Sequence, residues 1–205
     1  MPKLQVIVEG KTELAFVKQV LSPHLASKGV TVWPTFSDSG PGTHKWPRIR
    51  RQIAGVLKSG NMCTTMFDFY GMPSDRPGLG KLASLDWNTK CGQVENGMRD
   101  SVQEHLGSDS DDRKFIPYVQ MHEFEAILFA DVHLLAKYAD PLVECQHAVP
   151  ALCKAQEDSG SPEAIDDGYD TCPSRRILDA IPGYYSKAMR GPVIAETIGL
   201  SQIRE

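Results

Sequence analysis

The feature that most constrains this chain is a set of short, dense apolar runs that break off at acidic residues. Leu4 to Val8 is rich in β-branched residues and stops at Glu9, Cys63 to Phe67 stops at Asp68, and Phe115 to Met121 runs into His122-Glu123. Runs this short and continuous read as strands buried on both faces. Val30 to Phe36 adds a further strand, with Pro34 placing it at an edge or bulge because proline cannot donate to a ladder. Between the strands the periodicity becomes helical. Leu14, Val17, Leu21 and Leu25 share one face, with Thr12 as the expected N-cap. Trp46 to Lys58 buries Ile49, Ile53, Val56 and Leu57, and Val94 to Leu106 and Phe124 to Ala130 also read as helices. Alternating strands and helices predict an α/β fold around a mostly parallel four-stranded sheet with right-handed crossovers.

Past Asp131 the strand signals cease. Short helical pieces remain, broken by Pro141, Pro150, Pro162, Pro173, Pro182 and Pro192. The expected organisation is an α/β domain over residues 1–131 and a helical C-terminal extension, 132–205, packed on it. Three connections stand out: a Gly/Pro/Ser-rich loop from Ser37 to Thr43, an acidic loop from about Glu157 to Asp170, and a turn-rich stretch from Gly71 to Gly80 that is too long for a simple connector.

Composition removes several function classes. With 41% hydrophobic and 23% charged residues the chain is globular rather than disordered. Its net charge of -4 lacks the overall basic footprint of many nucleic-acid binders, so phosphate contacts must come from local patches. Neither a secretory signal nor an apolar stretch of membrane-spanning length is present. The five cysteines form no Cys-x-x-Cys pair, and the Cys145, His147, Cys153 cluster matches no standard zinc spacing. Reduced thiols in a cytoplasmic protein are expected.

Ligands of an open parallel sheet bind beyond the carboxyl ends of its strands. Three of the four expected strands end in acids there: Glu9, with Glu13 one helical turn on, then Asp68, then Glu123 with Glu125. Gathered hard oxygens suit Mg²⁺, which takes one or two carboxylates together with waters and substrate phosphates. Taken singly, each acid has a structural reading too: Glu13 and Glu123 as first-turn acids of helices, Asp68 as a turn former. Competing motifs fail. A phosphate-binding loop ending at Gly10-Lys11-Thr12 would need glycine where Gln5 stands, and a zinc-protease helix from His122-Glu123 would need histidine at Ala126. A nucleophile elbow at Ser39 would need glycine in place of Ser37.

The run Val8-Glu9-Gly10-Lys11-Thr12-Glu13 before an apolar helix resembles the first motif of Toprim domains, found in topoisomerases, primases and OLD-type nucleases. Met66-Phe67-Asp68-Phe69-Tyr70-Gly71 resembles the Asp-x-Asp motif at its first Asp, and Met121 to Phe129 resembles the late Phe-Glu motif of RloB-like relatives. Phe67 to Pro73, Pro77-Gly78, His122 to Phe129, Gly191-Pro192 and Ile198-Gly199-Leu200 are together similar to a narrower family of uncharacterised short Toprim-like proteins, often encoded beside an ABC- or AAA-type ATPase. The resemblance implies a Toprim-like, Rossmann-like three-layer fold. It also implies a metal-dependent nuclease using Mg²⁺ or Mn²⁺, serving as the effector of an ATPase-coupled phage-defence module. Glu9 is then a general acid/base or a metal ligand. The implied catalytic set is Glu9, Asp68 and Glu125, with Glu13, Asp75 and Glu123 as further metal candidates. Tyr70 stands where Toprim enzymes place a second Asp, and Asp75 is the nearby residue that would supply the missing oxygen. That departure favours an alternative, a catalytically weakened binding or regulatory module acting with a partner ATPase; an enzyme of free nucleotides is a third reading. A homodimer is compatible with all of these.

Two basic groups suit nucleic acid. Lys45, Arg48, Arg50, Arg51 and Lys58 crowd the second helix; Arg175, Arg176, Tyr184, Tyr185, Lys187 and Arg190 interleave bases with aromatics. From these, Lys45, Arg48, Arg51, Arg175, Arg176 and Lys187 are the expected phosphate contacts, against the plainer reading of solvated helix faces.

Overall fold

A parallel sheet centred on β1 (Lys3–Val8) organises the N-terminal part of the chain. The computed structural model describes residues 1–37, 45–80, 82, 85–107, 111–140, 142–159, 171–183 and 187–204, apart from the side chains of Trp87, Asn88, Asp112, Ser159 and Lys187. The expected loop through residues 38–44, the acidic segment 160–170, Tyr184, Tyr185 and the Lys187 side chain therefore lie outside the described residues. The chain divides into two compact units, Met1–Met121 and His122–Glu205.

In the first unit β1 lies between β2 (Thr31–Phe36) and β3 (Met62–Asp68). The two short strands β4 (Phe115–Ile116) and β5 (Val119–Gln120) both pair with β3, and every pairing is parallel. Val6, Ile7 and Val8 are all buried, as a central strand covered on both faces requires. Pro34 sits on β2, an edge strand, where a missing donor costs least. The expected fourth strand is present in two pieces. Pro117 has no N–H to give, and the Thr65 hydroxyl bridges the gap, accepting from the Tyr118 amide and donating to the Tyr118 carbonyl, both at 2.9 Å. Pairing resumes beyond the gap without a slip in register.

Helices cover both faces. On one side α1 (Lys11–Phe16), a π-helical turn (Val17–Leu21) and α2 (Ser22–Ala26) run on from β1. Their buried residues are Phe16, Val17 and Val20, while Leu14, Leu21 and Leu25 are only half-buried, because the π turn shifts the apolar face. The expected cap at Thr12 is corrected: α1 starts at Lys11, with Gly10 as N-cap and no side-chain cap. On the other side α3 (Trp46–Lys58) and α4 (Trp87–Leu106) close a core of Ile7, Ile49, Ile53, Cys63, Phe67, Val94, Met98, Val102 and Phe115. Ile7 faces this core while its neighbours Val6 and Val8 face the other way, the alternation of a strand.

Helix α4 begins well before the apolar repeat that revealed it, because Asp86 caps it. Its Oδ1 accepts from the Thr89 amide at 2.9 Å and its Oδ2 from the Thr89 hydroxyl at 2.6 Å. Asp86→Ala is expected to cost about 1 kcal/mol, read as a fall of a few degrees in thermal midpoint.

The regular elements among the described residues of the second unit are all helices. A 3₁₀ helix (Phe124–Asp131) takes the place of the expected α-helix there. Phe124, Ala126, Leu128 and Phe129 are buried, so it is apolar on nearly every side. Around it pack α5 (Val132–Tyr138), α7 (Pro173–Ala180), α8 (Lys187–Ile198) and α9 (Leu200–Ile203), and α6 (Val149–Ser159) packs on α5 and α7. Among the described residues no helix is long and apolar enough to cross a membrane.

Candidate functional site

Strands β1 and β3 run side by side with Val8 opposite Met66, so Glu9 and Asp68 leave the sheet at the same edge. The Asp68 amide donates to Glu9 Oε2 at 3.2 Å. Glu9 Oε1 is buried and makes no hydrogen bond among the described residues; it lies 3.7 Å from Arg76 Nη2, an ion pair beyond hydrogen-bond length. With its side chain only 12% exposed, the Glu9 carboxyl is pushed up from its ordinary 4.5 to about 7. Burial is the main cause. The Asp68 amide and the Arg76 charge pull the other way, and the Asp68 and Glu13 charges add to the rise.

Of the other candidate acids of the first unit, Asp68 and Asp75 hold backbone amides. Asp68 Oδ1 accepts from the Tyr70 amide at 3.0 Å and the Gly71 amide at 3.4 Å, shaping the turn that leaves β3. That turn sends the Tyr70 ring outward, 43% exposed, edge-on to Phe69. Glu13 folds back over Gly10, where any Cβ would collide with its carboxylate. Asp75 Oδ2 accepts from the Trp46 amide at 2.8 Å, satisfying a first-turn donor of α3, and Asp75 Oδ1 pairs with Arg76 Nη1 at 3.4 Å.

Arg76 is the residue that sequence reasoning missed. Its side chain is fully buried, between the rings of Trp46 at 5.8 Å and Phe67 at 5.5 Å, with Glu9 and Asp75 as ionic partners. Burial draws its guanidinium below the ordinary value, and the two carboxylates oppose that. The one available signal was the stretch Gly71 to Gly80, too long to be idle.

Among the described residues no group of three or more His, Cys, Asp or Glu side chains is placed to hold a metal ion. What the first unit offers is a pair, the buried Glu9 Oε1 and the neighbouring Asp68, with Tyr70 at the second acidic position and Asp75 engaged by α3 and Arg76. A pair suits a divalent ion that completes its shell with water and substrate oxygens, as Mg²⁺ does, but not a closed protein cage.

In the second unit Glu123 and Glu125 differ. Glu123 Oε2 accepts from the Ser174 amide at 3.0 Å, capping the start of α7, whereas Glu125 is buried within the 3₁₀ helix. Glu123→Ala is expected to lower stability by about 1–2 kcal/mol through the orphaned α7 donor, measurable by thermal denaturation.

The basic residues of α3 separate by face. Lys45, Arg48, Arg51 and Lys58 are exposed along one stripe, while Arg50 turns inward, its Nη1 donating to Ser101 at 3.3 Å. Arg175 is exposed at the start of α7; Arg176 is half-buried and donates to the Thr171 carbonyl at 2.8 Å.

Comparison with family models matches residues 8–205 to a family described as "Domain of unknown function (DUF4276)". No curated protein matches. Among solved structures, the C-terminal region of the Burkholderia pseudomallei OLD protein is similar at 18% identity and a TM-score of 0.50, over 100% of this chain and 94% of that one. The C-terminal region of the Xanthomonas campestris pv. campestris OLD protein is 16% identical, with a TM-score of 0.42 over 98% of this chain and 90% of that one. At such identities the first likeness speaks for a shared fold, a mostly parallel α/β sheet with surrounding helices.

Proposed function

The chain belongs to the family described as "Domain of unknown function (DUF4276)", and on that footing we propose that it is a metal-dependent phosphodiester hydrolase of nucleic acid, built on a Toprim-like fold. One observation carries the reading: at the carboxyl end of the central strand, Glu9 is half-buried, its Oε1 is buried without a hydrogen bond, and its carboxyl is pushed up to about 7. A carboxyl poised there suits proton transfer at working pH, and such values concentrate at functional sites. Glu9 and Asp68 are the residues that would hold Mg²⁺ or Mn²⁺. When bound, the ion would polarise the phosphodiester and acidify a water. Glu9 Oε1 is the atom that would either join Asp68 in holding the ion or, with the ion on Asp68, take up and return a proton, and the Asp68 amide keeps that oxygen in place by holding its twin. The exposed stripe of Lys45, Arg48, Arg51 and Lys58 suits a phosphate backbone. Glu125 remains the acid implied for the second unit; a partner ATPase and a defence role rest on the resemblance, and a cytoplasmic setting on the reading of the cysteines as reduced thiols.

The second reading, a weakened binding module, is favoured by Tyr70 and by the Arg76 guanidinium already paired with Glu9. Calorimetry with Mn²⁺ and Mg²⁺, alongside cleavage of labelled DNA and RNA, separates the two. The hydrolase requires binding and cleavage by the wild type that Glu9→Ala and Asp68→Ala both abolish. A wild type that binds nucleic acid yet neither metal is the binding module.

A further inference from the structure

The Arg76 constellation goes further than the strand-end acids alone. A fully buried guanidinium is costly unless its charge is answered and its faces are covered. Here both conditions are met by residues from separate parts of the first unit. Glu9 follows β1, Phe67 lies in β3, Trp46 opens α3, and Asp75 precedes Arg76 itself. The rings of Trp46 and Phe67 flank the guanidinium, and Asp75 ties the same loop to the α3 amide. The loop is pressed onto α4 immediately afterwards: a Cβ on Gly97 would lie 2.6 Å from the Gly78 amide nitrogen and 2.8 Å from the Pro77 carbonyl carbon. Arg76 therefore cannot swing away without unpacking the loop, the start of α3 and the core beneath.

We propose that Arg76 is a positioning residue, a fixed internal counter-cation that holds the Glu9 carboxylate and competes with any divalent ion for it. The metal half of this statement rests on the hydrolase reading; the pairing half does not. Because the guanidinium is fully buried, it acts on the reaction through Glu9 rather than by touching a substrate. It answers part of the charge that strand-end acids otherwise impose on one another, so the site stays folded without metal and takes metal up weakly. The role differs from that of an exposed arginine reaching for phosphate, which would need its donors open to solvent.

The test uses the full chain as wild type, Arg76→Met, Arg76→Lys, Glu9→Gln and the double variant Arg76→Met/Glu9→Gln. Thermal midpoints at pH 8 with chelator read the pairing. Arg76→Met is expected to lose a few degrees, because Glu9 without its counter-cation either stays charged at a cost or takes up a proton at pH 8. Adding Glu9→Gln should restore a large part of that, with Glu9→Gln raising the midpoint more in the Arg76→Met background than in the wild type. Additive effects overturn the proposal. Mn²⁺ titration reads the competition: Arg76→Met should bind at least about fivefold more tightly than wild type, since a like charge near the ion is gone. A merely structural lesion would weaken metal binding, so equal or weaker binding by folded Arg76→Met also overturns it. If Arg76→Met does not fold, Arg76→Lys, which keeps the charge and loses the planar fork, enters the same comparisons with intermediate effects. Coupled midpoints with no Mn²⁺ bound by any variant would uphold the pairing and sink the hydrolase reading instead.

Discussion

Glu9→Gln is expected to reduce metal-dependent cleavage at least about a hundredfold, the scale of losing a positioned proton-transfer group. The same substitution is expected to stabilise the fold at alkaline pH. The two effects have one origin. Burial lifts the Glu9 carboxyl from 4.5 to about 7, so the folded chain holds this proton more tightly than the unfolded chain does. The favourable contribution of the protonated form is thus fully present below about pH 4.5. It shrinks as pH rises through the window from 4.5 to 7 and is gone above it. A shift of that size corresponds to about 3 kcal/mol at most, and less where solvent reaches the site. Glutamine mimics the protonated form, so the variant should show a flatter stability profile across that window and exceed the wild type at pH 8. Chemical denaturation at several pH values, run beside cleavage assays, checks both halves. A residue that costs stability while it serves activity is what a functional site leads one to expect. Parallel profiles for wild type and variant would instead mean that Glu9 titrates as an ordinary exposed acid.

Gly97→Ala is expected to cost about 2–3 kcal/mol, although alanine in a helix interior normally gains close to 1 kcal/mol over glycine. The reason is the backbone of residues 77 and 78, which lies against Gly97 at distances no methyl group tolerates. Backbone cannot rotate aside as a side chain would, so either the loop lifts off α4 or the helix bends. For a chain of this size the fall in thermal midpoint should be about 4–10 °C. Gly92, on the same helix, has open space where its Cβ would stand. Gly92→Ala should therefore be neutral or stabilising by about 0.5–1 kcal/mol. Equal behaviour of the two variants would remove close packing as the explanation. Gly78 is the partner in this contact and adopts a φ of +84°, which a side chain rarely allows, so the pair Pro77-Gly78 has a conformational reason as well as a steric one.

Much of the fold was legible because it depends on local pattern. The bounds expected for α3, Trp46 to Lys58, are those observed, since one face repeats its apolar residues across the whole helix. Pro34 correctly pointed to an edge. Where local rules competed, tertiary context chose: the Thr12 cap lost to an uncapped start at Gly10, and Pro117 split a strand that composition alone ran together. The 3₁₀ geometry of Phe124–Asp131 had no sequence signal, because a segment buried nearly all round shows no clear helical period.

By itself, the sequence determined that this protein has a parallel α/β sheet and that Glu9 and Asp68 emerge at one edge of it. Strand direction and crossover handedness follow from the order of elements, so residues that end parallel neighbouring strands must meet. Only the tertiary structure decided what those acids meet. Arg76 pairs with a residue far back along the chain, Asp75 holds the start of α3, and Glu123 caps α7. Periodicity describes which face of an element is buried, and it carries no information about which distant side chain will share that burial.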